Sequence, residues 1–324
     1  MSSPRICVIG PGRIGHGIAA AFIAAGFDVE LRDTKLRPRK EEWKKLEAAR
    51  KLIAESLRLL DEVGAFLESP DAALNRLKLA RGFEGVEEAR FVFEAVPEEV
   101  GLKKEFYEEL TDHVAEEAIV ASTSSTFSPS AFQESVPDPE RFLMTHWLNP
   151  AEIIPLVEVV PGPTTREQVV GEMLELLGAT GKVPVLEADS PGFICPRLQV
   201  LLMNEAVRLI DEGVASAENI DRALKTGLGF RIAIQGIVEF IDWGGVDILH
   251  YASNYLTRTL EDERFASPAS VRNKIEAGET GMEVRKGFLD YADLDIDALK
   301  RERKIQMIEL LKVLGLGPAA LRAS

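Results

Sequence analysis

The chain has 324 residues, 46% of them apolar, enough for one large or two medium domains with real cores, and no apolar run approaches the roughly 18 residues of a membrane span. Its net charge of -15, from 53 acidic and 38 basic residues, argues against a general affinity for nucleic acid or for an anionic membrane surface. Cys7 and Cys195 stand alone in apolar runs, which argues against a disulfide framework or a thiolate metal site and points to a reducing cytoplasmic setting; no metal and no secretion signal are expected.

Ile6 to Ile9 form a short apolar run of the kind a buried parallel strand shows, leading directly into Gly10-Pro11-Gly12-Arg13-Ile14-Gly15. Ile14, Ile18, Ala21, Phe22 and Ala25 then recur at helical spacing, and Gly26 closes the helix. A second strand, DVELR, delivers Asp33, 18 residues beyond Gly15. In this order each part has a task. Gly10 allows the tight turn, Gly12 lets backbone approach a pyrophosphate, and Gly15 lets the helix pack on the strand. Arg13 and Ile14 open the helix, whose free N–H groups and positive dipole end receive phosphates. Asp33 accepts hydrogen bonds from the adenosine ribose and repels a 2′-phosphate, so the expected cofactor is NAD rather than NADP.

From Lys40 to about Ala80 the pattern is helical and amphipathic, and it reads as a helical hairpin inserted in the sheet. Lys35, Arg37, Arg39, Lys40, Lys44, Lys45, Arg50 and Lys51 crowd this region, interleaved with Glu41, Glu42 and Glu47. They form either a solvated helix face or an anion site for a phosphate-bearing tail such as that of coenzyme A. The strand RFVFEAV follows, then the turn Pro97-Glu98-Glu99, a helix around Leu102 to His113, and the strand AIVAS ending in Thr123-Ser124-Ser125-Thr126. Ligands of an open parallel sheet bind beyond the carboxyl ends of its strands, which places Glu98, the hydroxyl cluster and His146 on the cofactor side. Ser125 either hydrogen-bonds a substrate oxygen or caps the next turn.

The stretch RFLMTHWLNPAEIIPLVEVV, Arg141 to Val160, carries His146 and Glu158. A histidine titrates near neutrality and takes a hydroxyl proton, and a carboxylate fixes its tautomer and stabilises the imidazolium. The alternative is a strand-end histidine satisfied by backbone, with a surface glutamate. A helix and a last strand, KVPVLEA, complete an α/β, Rossmann-type doubly wound sheet over residues 1–189. From Ser190 onward only helical patterns remain, one opening at Ser190-Pro191 and running through Phe193, Ile194, Leu198, Leu201, Leu202, Leu209 and Ile210 to Gly213, and others over Ala217 to Thr226, Ile232 to Asp242, Ile248 to Thr259 and Ile296 to Leu314, so residues 190–324 are expected to form an all-α domain.

The fingerprint VIGPGRIGHGIAAAFIAAGFDVELRD, the FEAVPE turn, ASTSS, HWLNP with LVEVV, SPGFICPRL and RKGFLDY fall in the order found in the 3-hydroxyacyl-CoA dehydrogenase family, which the chain resembles from Ile6 to about Tyr291. The resemblance implies an NAD-dependent oxidoreductase of fatty acid metabolism, dimeric through its helical substrate domain. It implies that His146 is the general base, that Glu158 supports it, and that Ser125 and Asn149 hydrogen-bond the reacting oxygen. Glu98 and, more weakly, Lys103 are implied as nicotinamide-side contacts.

Two departures bear on the substrate. Pro196 stands where the family has an asparagine, so one side-chain amide is missing. The segment GLGFRIAIQG, Gly227 to Gly236, is more similar to the branch containing L-gulonate 3-dehydrogenase, also known as lambda-crystallin, in which Arg231 would pair with a free carboxylate. Alternatively Arg231 pairs with a surface acid. The expected substrate is a 3-hydroxyacyl-CoA; the alternatives are a small free hydroxy acid or a cofactor-binding protein without turnover.

Overall fold

The structure is a computed structural model and describes residues 4–35, 38, 41, 43–66 and 68–318. It divides into two compact units, residues 1–202 and 203–324.

The first unit is built on one eight-stranded sheet. β1 (Ile6–Ile9) has all four residues buried, as its unbroken apolar run requires, and leads into α1 (Arg13–Ala24) and β2 (Val29–Asp33). The span expected as a helical hairpin instead holds α2 (Lys44–Glu62), a single-turn α3 (Pro70–Leu74) and a strand, β3 (Leu77–Arg81). The strand is five residues long and carries Lys78 and Arg81, which hides it from a search for apolar runs. Those charges suit its position, because β3 is an edge strand: Leu77 and Leu79 pack on the core while Lys78 faces solvent and pairs with Glu30 at 2.5 Å.

β4 (Phe91–Glu94), α4 (Val100–Leu110), β5 (Ile119–Ser122), β6 (Phe142–Trp147), β7 (Leu156–Pro161), α5 (Glu167–Ala179) and β8 (Val183–Leu186) follow. The strand order is β3-β2-β1-β4-β5-β6-β7-β8, parallel from β3 through β6, with β7 antiparallel to β6 and β8 parallel to β7. Residues of α1, α2 and α5 bury one face around Phe22, Phe93 and Trp147, and residues of α4 bury the other around Tyr107, Phe132 and Met144. Cys7 is part of this second face; burial pushes its thiol up to about 12, which keeps it an inert packing residue.

The unit boundary lies inside α6 (Cys195–Asp211). The second unit continues with α7 (Ala217–Ala223), a π-helical turn at Leu224–Leu228, α8 (Gly229–Gln235), α9 (Ile237–Gly244), α10 (Val246–Leu260), α11 (Ala269–Glu276) and α12 (Ile296–Val313). The helix expected over Ile232 to Asp242 is two helices. Gly236 separates them at φ 72° and ψ 165°, a conformation open to glycine and closed to most other residues. α11 was not expected, its sequence being short and polar.

Asp242 is the buried hub of this unit. Its carboxylate accepts hydrogen bonds from the Phe288 amide at 2.9 Å, the Leu289 amide at 2.8 Å and the Tyr291 hydroxyl at 3.2 Å. A Cβ on Gly287 would stand 2.1 Å from the same carboxylate. The RKGFLDY segment is therefore a loop clamped onto a buried aspartate. Among the described residues, no helix is long and apolar enough to cross a membrane.

Candidate active site

The three fingerprint glycines are required for different reasons. Gly10 has φ +115°, and a Cβ there would stand 2.3 Å from the Ala95 carbonyl oxygen. On Gly15 a Cβ would stand 1.9 Å from the Gly10 oxygen, so the protein's own packing demands both residues. Around Gly12 nothing among the described residues lies within 4 Å of a Cβ. Here the glycine leaves room rather than avoiding a clash, and α1 starts at this point with no side-chain cap on its free N–H groups.

These residues border a cavity of about 750 Å³, in the crevice between β1 and β4 where the sheet's chain order reverses. Gly10, Gly12, Arg13 and Ile14 line it, as do Asp33, Glu98 and Ser125. Asp33, buried at the end of β2, accepts the Lys35 amide at 3.2 Å. Size, open glycine, uncapped helix start and terminal carboxylate together fit a dinucleotide. Lys35 and Lys45 also reach the cavity, whereas Lys44, Arg50 and Lys51 are exposed on α2. Arg37, Arg39, Lys40 and Glu42 lie outside the described residues.

The separate role of Gly12 gives a test. Gly12→Ala is expected to leave the melting temperature unchanged while weakening NAD binding by about tenfold or more, read by calorimetric titration beside a thermal melt. A lowered melting temperature with unaltered affinity would contradict it.

Glu98 organises the β5 end of the cavity. It accepts the Ser124 hydroxyl at 2.6 Å, the Ser125 amide at 2.9 Å and the Thr126 hydroxyl at 3.0 Å. Burial pushes its carboxyl up, but the Ser124 hydrogen bond, the Lys103 charge and the Ser125 amide outweigh this and hold it below the usual range. The following turn, Ser128-Pro129-Ser130, is capped by Ser128, which accepts the Ser130 amide at 3.1 Å, and Ser124 accepts the Phe127 amide at 3.1 Å. The exposed Ser125 hydroxyl has no hydrogen bond among the described residues.

Lys103, expected as a cofactor contact, does not line the cavity. It is 1% exposed, and its ammonium lies 2.7 Å from Glu94 and 3.5 Å from Glu98. Glu94 is fully buried and also accepts the Val96 amide at 2.8 Å, the Tyr107 hydroxyl at 2.6 Å and the Ser122 hydroxyl at 2.7 Å. Lys103 therefore belongs to the frame under the cavity. Glu94 ends a strand and Lys103 lies on the following helix, so their meeting depends on how α4 packs on the sheet, which sequence does not state.

His146 and Glu158 come together. They are directly opposed in the antiparallel register of β6 and β7, and Nδ1 lies 2.6 Å from Glu158 Oε2. Both are buried, at 4% and 1% exposure, so the pair is shielded from solvent. A carboxylate only accepts, so Nδ1 donates, and in the neutral imidazole the lone pair is on Nε2. Glu158 Oε1 accepts the Cys195 amide at 2.6 Å, and the Phe193 ring packs 5.6 Å from the imidazole. Ser122, the last residue of β5, pairs with Met144, so His146 lies two residues beyond that pair on β6, while Thr123 and Ser124 follow the end of β5. Asn149 is exposed beyond β6, ahead of a cis peptide bond to Pro150, and makes no hydrogen bond with His146 among the described residues.

Glu187 was not anticipated. It follows β8, on the side of Val185, the partner of Glu158, and accepts the Ile194 amide at 3.0 Å. Burial, and then the Glu158 charge, push its carboxyl up. Strand alternation would have found it, given the pairing of β7 with β8.

This is the architecture of a nucleotide-dependent oxidoreductase with a Rossmann-type domain. Residues 5–190 match the family model for the NAD binding domain of 3-hydroxyacyl-CoA dehydrogenase, and residues 192–291 match that for its C-terminal domain. The 5-formyl-3-hydroxy-2-methylpyridine 4-carboxylate 5-dehydrogenase of Mesorhizobium japonicum is 31% identical over 96% of this chain and 98% of its own. A probable 3-hydroxybutyryl-CoA dehydrogenase of Deinococcus radiodurans is 30% identical over 88% of this chain and 99% of its own. The crystal structure of a 3-hydroxyacyl-CoA dehydrogenase from Archaeoglobus fulgidus superposes with a TM-score of 0.78 at 32% identity, covering 97% of this chain and 100% of that one. The chain belongs to the 3-hydroxyacyl-CoA dehydrogenase family, and it is an NAD-dependent oxidoreductase.

Proposed function

We propose that the protein oxidises the 3-hydroxyl of a short 3-hydroxyacyl-CoA, such as 3-hydroxybutyryl-CoA, to the 3-oxo thioester. The buried His146–Glu158 pair at 2.6 Å, with His146 on the strand next to β5, whose following residues Thr123 and Ser125 line the dinucleotide cavity, carries this reading. Gly10, Gly12, Arg13, Ile14 and Asp33 hold NAD, with Glu98 at its nicotinamide side. NAD, once bound, supplies the hydride acceptor. Nε2 of His146 takes the proton of the 3-hydroxyl, and Glu158 stabilises the resulting imidazolium. The free hydroxyl of Ser125 and the amide of Asn149 hold the reacting oxygen as charge develops on it. Asp33→Ala should weaken NAD more than NADP in binding titrations; an equal loss would mean that Asp33 does not hold the ribose.

A second reading, the same chemistry on a small free hydroxy acid, rests on Arg231. Its guanidinium stands 5.4 Å from the Phe240 ring and is exposed, with no acid partner among the described residues. An unpaired guanidinium suits a free carboxylate. α12 lies beyond the C-terminal family match, packs on α8, which carries Arg231, and anchors to α9 through Arg303 and Glu239 at 2.8 and 3.0 Å. NADH formation with 3-hydroxybutyryl-CoA, L-gulonate and carnitine separates the two readings.

The functional boundary is proposed at residues 189/190, and the protein is proposed to be a cytoplasmic homodimer acting in fatty acid metabolism. The dimer is supported by α6, a 17-residue helix without a buried residue, where Leu201 and Met203 are each 64% exposed.

A further inference from the structure

The turn entering α6 is held by two carboxylates rather than one. Glu158 accepts the Cys195 amide at 2.6 Å, and Glu187 accepts the Ile194 amide at 3.0 Å. Successive amides at a helix start are free donors, and anions are stabilised there. Immediately before them Phe193 sits at φ +47°, in the left-handed region that a non-glycine residue adopts only when its surroundings impose it. This imposed turn sets the Phe193 ring against His146.

Glu187 does more than hold a turn. Its Oε1 is buried and has no hydrogen-bond partner among the described residues, so part of its charge is poorly compensated. The titratable groups facing this junction are His146 from β6, Glu158 from β7, Glu187 after β8 and Cys195 at the start of α6. Asp189, two residues beyond Glu187, is engaged elsewhere, accepting the Ser128 and Ser130 hydroxyls at 2.5 and 2.8 Å. His146 therefore lies in the field of two carboxylates, only one of which touches it.

We propose that Glu187 is a positioning residue for the His146–Glu158 dyad: it clamps the Ile194 amide so that Phe193 stays against the imidazole, and its charge favours the imidazolium that proton abstraction creates. This role rests on His146 being the general base; its electrostatic part is read from the His146 titration itself, without turnover. In Glu187→Gln the side-chain oxygen still accepts the Ile194 amide while the charge is gone; in Glu187→Ala both are lost.

The experiment is an NMR titration of the His146 imidazole in the full-length protein, wild type and both variants, beside the pH profile of kcat/KM. Removing a nearby negative charge destabilises the imidazolium, so the His146 titration is expected to move down by about half a unit to one unit in both variants. The acid limb of kcat/KM moves to lower pH by the same amount, because the neutral base forms earlier. Glu187→Ala is also expected to lower kcat several-fold below Glu187→Gln. An unmoved His146 titration in Glu187→Gln would overturn the electrostatic role, and equal kcat in the two variants would overturn the clamp. A shifted titration with an unshifted kcat/KM profile would leave the charge effect intact and instead fault the assignment of His146 as base.

Discussion

Replacing His146 with glutamine is expected to lower turnover by roughly a hundredfold or more, the cost of losing a general base, while NAD affinity stays unchanged. Glutamine is of comparable size and can still donate to Glu158, whose other oxygen keeps the Cys195 amide. The buried site is therefore neither emptied nor left with an unpaired charge. What disappears is the lone pair on Nε2, since an amide nitrogen accepts no proton near neutrality. NAD affinity is spared because the cavity is lined by the β1–α1 turn, Asp33 and Glu98, and not by His146. Stopped-flow turnover beside a calorimetric NAD titration reads both parts. Unchanged turnover would remove His146 from the chemistry; lost NAD binding would make it a cofactor contact.

The second large effect concerns stability. Glu94→Ala should destabilise the first unit by about 3–5 kcal/mol, read as a lower urea midpoint, because it breaks a buried ion pair from one side. Lys103, 1% exposed, would retain only Glu98 at 3.5 Å, and the Tyr107 and Ser122 hydroxyls and the Val96 amide would lose their acceptor. Glu94→Ala with Lys103→Met should recover much of the loss, since removing both charges leaves no buried ion unpaired. A loss below about 1 kcal/mol in the single variant would mean that water reaches Lys103.

The parts legible in sequence were those governed by local rules. The strand, glycine turn, helix, strand and Asp33 follow one another along the chain, and each is required by its neighbours in sequence. His146 and Glu158 could be named as candidates, but their pairing depends on the register of β6 with β7, which sequence does not state. β3 was missed because its charges, appropriate to an edge, break the apolar pattern. The break at Gly236 was missed because the residues around it keep helical spacing. Lys103 was assigned to the cofactor and lies in the buried frame with Glu94, a placement that only the packing of α4 against β4 and β5 determines. Glu187 and Phe193 act through the turn into α6, where nonlocal hydrogen bonds to strand residues decide which side chains meet.

In the proposed reaction His146 removes the proton from a 3-hydroxyl on an acyl thioester while NAD is reduced. The most direct measurement follows NADH formation by the wild-type protein and by His146→Gln, with 3-hydroxybutyryl-CoA, L-gulonate and carnitine in parallel. The expected result is NADH from the thioester alone, falling by roughly a hundredfold or more in the variant. NADH from the free acids alone would transfer the substrate to the Arg231 reading, and wild-type turnover retained by His146→Gln on any of the three would contradict the mechanism itself.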